Sequence, residues 1–117
     1  MAYLRQSVNG VTVNLYELAN RTVIGRKASC QITIDDPTVS GTHVEVKKGE
    51  KGWWLSDLDS TNGVLVKGKK VQKEQLKHGT IFSVGTHEFE FSLELPTHLD
   101  STLRIKKSWI PGVYYTK

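Results

Sequence analysis

Three polar clusters in this chain hold side chains able to grip an anion. They are Ile24-Gly25-Arg26, Val39-Ser40-Gly41-Thr42-His43 and Asp57-Leu58-Asp59-Ser60-Thr61-Asn62-Gly63. Arginine offers a planar, permanently charged fork that matches a phosphate. Ser40 and Thr61 are short neutral donors, and Asn62 both donates and accepts. Turns rich in Asp, Ser, Asn and Gly add backbone N–H groups. A phosphorylated hydroxyamino acid carries about −1.5 to −2 charges near neutral pH and three acceptor oxygens, which is the ligand such a set fits. Each residue alone has a plainer reading, Arg26 as a surface cation and the hydroxyls as turn closers. Their joint occurrence in order favours a receptor.

The same residues make a poor catalytic set. His43, His78, His87 and His98 stand in separate contexts without metal-ligand spacing. Ser40 and His43 lie three apart in one turn, with no third group to orient them. Asp57 and Asp59 imitate a carboxylate pair, yet loop carboxylates usually cap turns. The single cysteine, Cys30, excludes an internal disulfide, fits a reducing compartment and reads as a small core residue. No catalytic residue, metal or cofactor is expected. With no charged-then-apolar leader and no long apolar run, the expected setting is cytoplasmic (nuclear in a eukaryote), away from membranes.

Net charge is +4, but residues 96–117 contribute +3 of it, and residues 1–95 hold 12 basic against 11 acidic groups. Phosphate-backbone affinity grows with the number of phosphates neutralised, so a near-neutral body argues against nucleic acid as partner. No recognition helix or array of exposed aromatics is evident, and Trp54 alone is insufficient.

Strands must position the clusters. At 117 residues the chain is one domain able to bury its own core. Asn9-Gly10 is a strong two-residue hairpin signal between Tyr3–Val8 and a strand carrying Val11, Val13 and Leu15 at period two. Arg21–Gly25 is a short strand, and Ile32 and Ile34 alternate before Asp35-Asp36-Pro37 stops the next. Thr42, Val44 and Val46 are expected on one face of a strand, with His43, Glu45 and Lys47 on the other. Trp53 and Leu55 share a face opposite Trp54, and Val64-Leu65-Val66 follows the central loop. Glu74-Gln75-Leu76 reads as a connection too short for more than one helical turn. Thr80–Val84 and Thr86–Leu95 close the series, with Phe89, Phe91, Leu93 and Leu95 at period two. Many short strands without helical periodicity predict an all-β antiparallel sandwich. Pro96 marks the end of the compact body, giving a domain over 1–95 and a tail over 96–117, docked or flexible.

The ordered elements Gly25-Arg26, Ser40-x-x-His43, Ser60-x-Asn62-Gly63 and the later Val66-Lys67-Gly68 resemble the forkhead-associated (FHA) family over about residues 3–95. Each motif is weak singly; in this order they are strong. The resemblance implies an eleven-stranded β-sandwich whose functional loops at one end bind phosphothreonine (pThr) peptides in Ser/Thr kinase signalling. It implies that Arg26 and Ser40 contact the phosphate, Thr61 contacts the pThr or braces its loop, and Asn62 holds the peptide backbone. Gly25 and His43 would be structural, with Asp57, Ser60 and Gly63 shaping the loop. Gly41 stands where the family usually has Arg, Lys or Asn, so only its N–H is on offer unless Lys27 compensates. Lys67 replaces a common asparagine. Thr38, at a position that often helps read the third residue after the pThr, is neutral and encodes no acidic preference. A phosphate-independent scaffold on the same fold, with Gly41 as a sign of decay, is the alternative. Thr97-His98-Leu99-Asp100 and Thr102-Leu103-Arg104-Ile105 are shaped like such ligands, so self-recognition of a tail phosphorylated at Thr97 or Thr102 stands beside chance occurrence.

Overall fold

β-branched and aromatic residues at period two build two facing sheets. The computed structural model describes residues 1–95 and two further strands, Arg104–Lys107 and Tyr114–Thr116. Within residues 1–95 the strands are β1 (Tyr3–Val8), β2 (Val11–Glu17), β3 (Arg21–Gly25), β4 (Ile32–Thr33), β5 (Val44–Gly49), β6 (Gly52–Asp57), β7 (Val64–Val66), β8 (Lys69–Val71), β9 (Lys73–Leu76), β10 (Ile81–Val84) and β11 (His87–Ser92). β12 (Arg104–Lys107) and β13 (Tyr114–Thr116) follow. One sheet runs β13-β12-β2-β1-β11-β10-β7-β8, the other β4-β3-β5-β6-β9. The pairings are antiparallel except β3 with β4 and β12 with β2.

The sandwich closes over Leu4, Phe82, Val84, Phe89 and Phe91 from the larger sheet and Ile24, Val44, Val46, Trp53 and Leu55 from the smaller. Phe82 and Phe89 are cross-strand partners whose rings stack with centroids 5.4 Å apart, and Trp53 meets Phe91 across the core at 5.8 Å. Such aromatic pairs add roughly 0.5–1.5 kcal/mol beyond the area they bury. Asn9 (φ 52°) and Gly10 (φ 78°) form the expected hairpin turn, and Lys67 (φ 53°) with Gly68 (φ 77°) repeats it between β7 and β8.

Several sequence expectations are corrected. Thr42 is exposed, because β5 begins only at Val44; His43 is fully buried rather than turned outward with Glu45. Val11 and Val13 lie at the exposed hairpin end of β2, and only Leu15 of that set is buried. Lys73–Leu76 is not a connection but β9, paired with β6 as an edge of the smaller sheet. Its polar residues suit an edge and hide its alternation. β11 ends at Ser92, so Leu93 is half exposed. Within the tail, β12 pairs beside β2 and β13 beside β12. Thr97 and Thr102 lie outside the described residues.

Candidate functional site

The loops leaving β3, preceding β5 and joining β6 to β7 converge because glycine lets their backbones touch. A Cβ on Gly25 would sit 2.3 Å from the Gly41 carbonyl oxygen, so only glycine permits this approach. The Arg26 N–H donates to the Ser40 carbonyl (2.9 Å) and the Lys27 N–H to that of Gly41 (3.0 Å). The Cys30 thiol also donates to the Gly41 oxygen (3.2 Å). Burial pushes the Cys30 pKa up, so this sulfur packs as a thiol beneath the loop.

His43 ties the loops from below. Its Nδ1 accepts from the Ser40 N–H (3.0 Å), which fixes Nε2 as the protonated nitrogen, and Nε2 donates to the Gly63 carbonyl (2.8 Å). Its backbone N–H donates to Ile24, and its carbonyl accepts from Leu58. One fully buried residue therefore sets the distance between both hydroxyl-rich loops.

The central loop is closed by its own side chains. Asp57 Oδ1 accepts from the Ser60 N–H (3.1 Å) and Ser60 Oγ from the Gly63 N–H (2.9 Å), while Asp59 (φ 60°) and Gly63 (φ 79°) take left-handed conformations. The Thr61 N–H then reaches across to Ser40 Oγ (2.9 Å). This bond holds the serine oxygen in place and leaves its O–H to donate outward. Asn62 Nδ2 donates to the Thr38 carbonyl (2.9 Å), leaving its Oδ1 as an acceptor. Arg26 and Lys27 are exposed, and among the described residues neither enters an ion pair. The Lys27 stem lies over Gly41, its Cε 3.0 Å from where a Cβ would be; the Lys70 stem covers Gly63 in the same way at 3.2–3.4 Å.

Asp36, read from the sequence only as part of a strand stop, is the residue most clearly missed. Its Oδ1 accepts from the Thr38 N–H (2.8 Å) and hydroxyl (2.7 Å), and its Oδ2 from the Thr86 hydroxyl (2.6 Å). These donors, Thr86 first, pull its pKa to about 2. His87 Nε2 stands 3.7 Å away and acts as a further attraction when protonated. The Asp-Pro-Thr run carries the local turn signal; the clasp to Thr86, 50 residues on, has no local signal. Thr38 therefore spends its hydroxyl hydrogen on Asp36 instead of offering it to a ligand.

All seven predicted binding residues thus gather at one end: Arg26 beside Ser40, Lys27 over Gly41, Thr61 on Ser40, and Asn62 on Thr38. Among the described residues, no three of His, Cys, Asp and Glu assemble to hold a metal. No helix there is long and apolar enough to cross a membrane. What this end can do chemically is offer an anion the Arg26 guanidinium, the Lys27 ammonium and the Ser40 hydroxyl.

The FHA domain model matches residues 22–85. The chain is 36% identical over 80 residues to the FHA domain-containing protein FhaA of Mycobacterium tuberculosis, covering 68% of this chain and 15% of FhaA. It is 30% identical over 99 residues to the transcriptional regulatory protein EmbR of the same organism, covering 84% of this chain and 25% of EmbR. It spans a quarter or less of either relative's length. The structure of Mycobacterium tuberculosis EmbR in complex with a low-affinity phosphopeptide superimposes with a TM-score of 0.75 at 31% identity, over 84% of this chain and 26% of that one. A solved FHA domain characterised for phosphothreonine-dependent interactions gives 0.71 at 28% identity, over 81% and 98%. With its motif residues gathered on the fold they require, the chain belongs to the FHA domain family.

Proposed function

We propose that this chain is a phosphothreonine-dependent interaction module in Ser/Thr kinase signalling, binding Thr-phosphorylated peptides through the loops at one end of its sandwich. One observation carries the reading: the Ser40 oxygen is fixed by the Thr61 N–H beside an arginine that no described acid neutralises. Arg26 and Ser40 take the phosphate, Asn62 holds the peptide main chain, and Thr61 braces the serine. Lys27 occupies the space above Gly41, where a longer residue would stand. That arrangement supports compensation by Lys27 over the phosphate-independent alternative. Two relatives support the reading: EmbR, solved with a phosphopeptide, and the FhaA FHA domain, solved with the intracellular domain of Rv3910. The binding unit is residues 1–95 with 96–117 appended, working in the cytoplasm without catalysis; its product is the co-localisation of partners.

An amide-resolved NMR titration with matched pThr and Thr peptides tests this. Shifts centred on Arg26, Ser40, Thr61 and Asn62 are expected with the pThr peptide alone. Shifts spread over an outer sheet face, or equal for both peptides, would sink the assignment.

A further inference from the structure

Strand alternation in β6 sends Trp53 and Leu55 into the core and Trp54 to the outer face of the smaller sheet, where it is half-buried. Cross-strand register sets its neighbours there. Lys47 and Gln75 flank Trp54 in one row, and Glu45 and Lys73 flank Ser56 in the next. A recess of about 350 Å³ opens over these rows, lined by Glu45, Lys47, Gly49, Trp54, Ser56 and Lys73. The Lys73 ammonium stands 5.2 Å from the centre of the Trp54 ring, a cation–π contact that steadies the indole. Gly49 keeps the nitrogen edge of the ring uncovered, since a Cβ there would sit 3.4 Å from Cδ1 and 3.7 Å from Nε1. The indole N–H meets no acceptor among the described residues and reaches solvent.

The unspent charge on this face is positive. Glu45 accepts from the Arg21 guanidinium, so those two charges cancel. Lys47 and Lys73 enter no ion pair among the described residues. With the Trp54 N–H and the Ser56 hydroxyl they place four donors around the recess. A cationic guest would meet two ammonium groups, and a wholly apolar one would strand the donors. A carboxylate accepts from them, and its aliphatic stem can lie on the indole. A nucleic acid suits the face less well. Single-strand binders stack successive bases on several aromatics along a basic groove, whereas here one indole stands with the Glu45 carboxylate in the neighbouring row.

We propose that this face takes an acidic segment of a protein partner, its Asp or Glu side chains seated between Lys47, Lys73 and the Trp54 N–H, with no phosphate required. The surface is separate from the phosphate-binding loops. Lys47 is three residues along β5 from Val44, about 10 Å at the usual rise per residue. The inference therefore stands or falls apart from the pThr reading. A partner carrying both a pThr and an acidic segment could hold both places at once, one contact raising the effective concentration for the other.

The test is proton–nitrogen NMR of the whole chain, following the Trp54 indole N–H resonance, which is assigned by its absence in Trp54→Phe. The probe is an Asp/Glu octapeptide; an Asn/Gln octapeptide and an octathymidylate serve as comparisons. The acidic peptide is expected to shift the Trp54 N–H saturably where the neutral one does not, with affinity falling in high salt. R26A should leave this titration unchanged. K47E and K73E should each weaken it by about fivefold or more, an exposed ion pair being replaced by a repulsion. Both lysines are exposed, so unshifted core amides should show the fold retained. A Trp54 resonance that stays in place, or an affinity unchanged in both variants, overturns the proposal. So does a stronger response to octathymidylate, which would make the face a nucleic-acid surface. Shifts centred on Arg26 and Ser40 that vanish in R26A would overturn it too, by putting the acid at the phosphate-binding loops. Binding of a pThr peptide to R26A, measured alongside, reports on the pThr reading alone.

Discussion

His43 is the residue on which the site's geometry depends, because its two ring nitrogens meet backbone groups of two different loops. His43→Ala would leave the Ser40 N–H and the Gly63 carbonyl without partners and open a cavity. The combined cost is expected to be about 3 kcal/mol, read as a lowered urea midpoint, with weaker pThr binding in whatever remains folded. An unchanged midpoint would mean the ring is not the brace. The residues that gather at this end were legible from the sequence because each motif is local: Gly-Arg, Ser-x-x-His and Ser-x-Asn-Gly name their own turn chemistry. Asp36 was not. It acquires its role from Thr86, a contact that exists only once distant strands pair.

At the scale of elements, two turns make predictions. Lys67 holds φ 53° in the β7–β8 hairpin, a conformation Asn tolerates better. Lys67→Asn is expected to stabilise the fold by about 0.5–1 kcal/mol, seen as a raised Tm; a lowered Tm would contradict the strain. The clasp from Asp36 to the β10–β11 turn is pH-dependent. Its folded pKa of about 2 lies below the ordinary 3.8, so its contribution is present above pH 4 and is lost as pH falls toward 2. Wild type should therefore lose its stability advantage over Asp36→Asn across that window, and urea midpoints at several pH values check it. A constant gap would show that the carboxylate charge plays no part. Strands with an apolar alternation, such as β6 and β10–β11, were legible. β9 was not, because an edge strand written Lys-Glu-Gln-Leu has almost no hydrophobic period to read.

Among the described residues the molecule is a sandwich whose candidate binding loops fall within residues 1–95, while β12 extends the larger sheet by pairing with Leu15–Glu17. A chain ended at residue 95 is expected to melt at lower temperature, since the β2 edge is opened. Its pThr-peptide affinity should stay within about twofold, because distant sites act nearly independently. Loss of binding in a truncated chain that remains folded would bring the tail into the site. The central claim meets its most direct test in titration calorimetry of the full chain with matched Thr and pThr peptides, repeated with Arg26→Ala. The account predicts binding of the pThr peptide alone and at least about a tenfold loss in the variant, the effect of removing one or more charge-assisted bonds. Phosphopeptide affinity that survives the loss of Arg26 would contradict it.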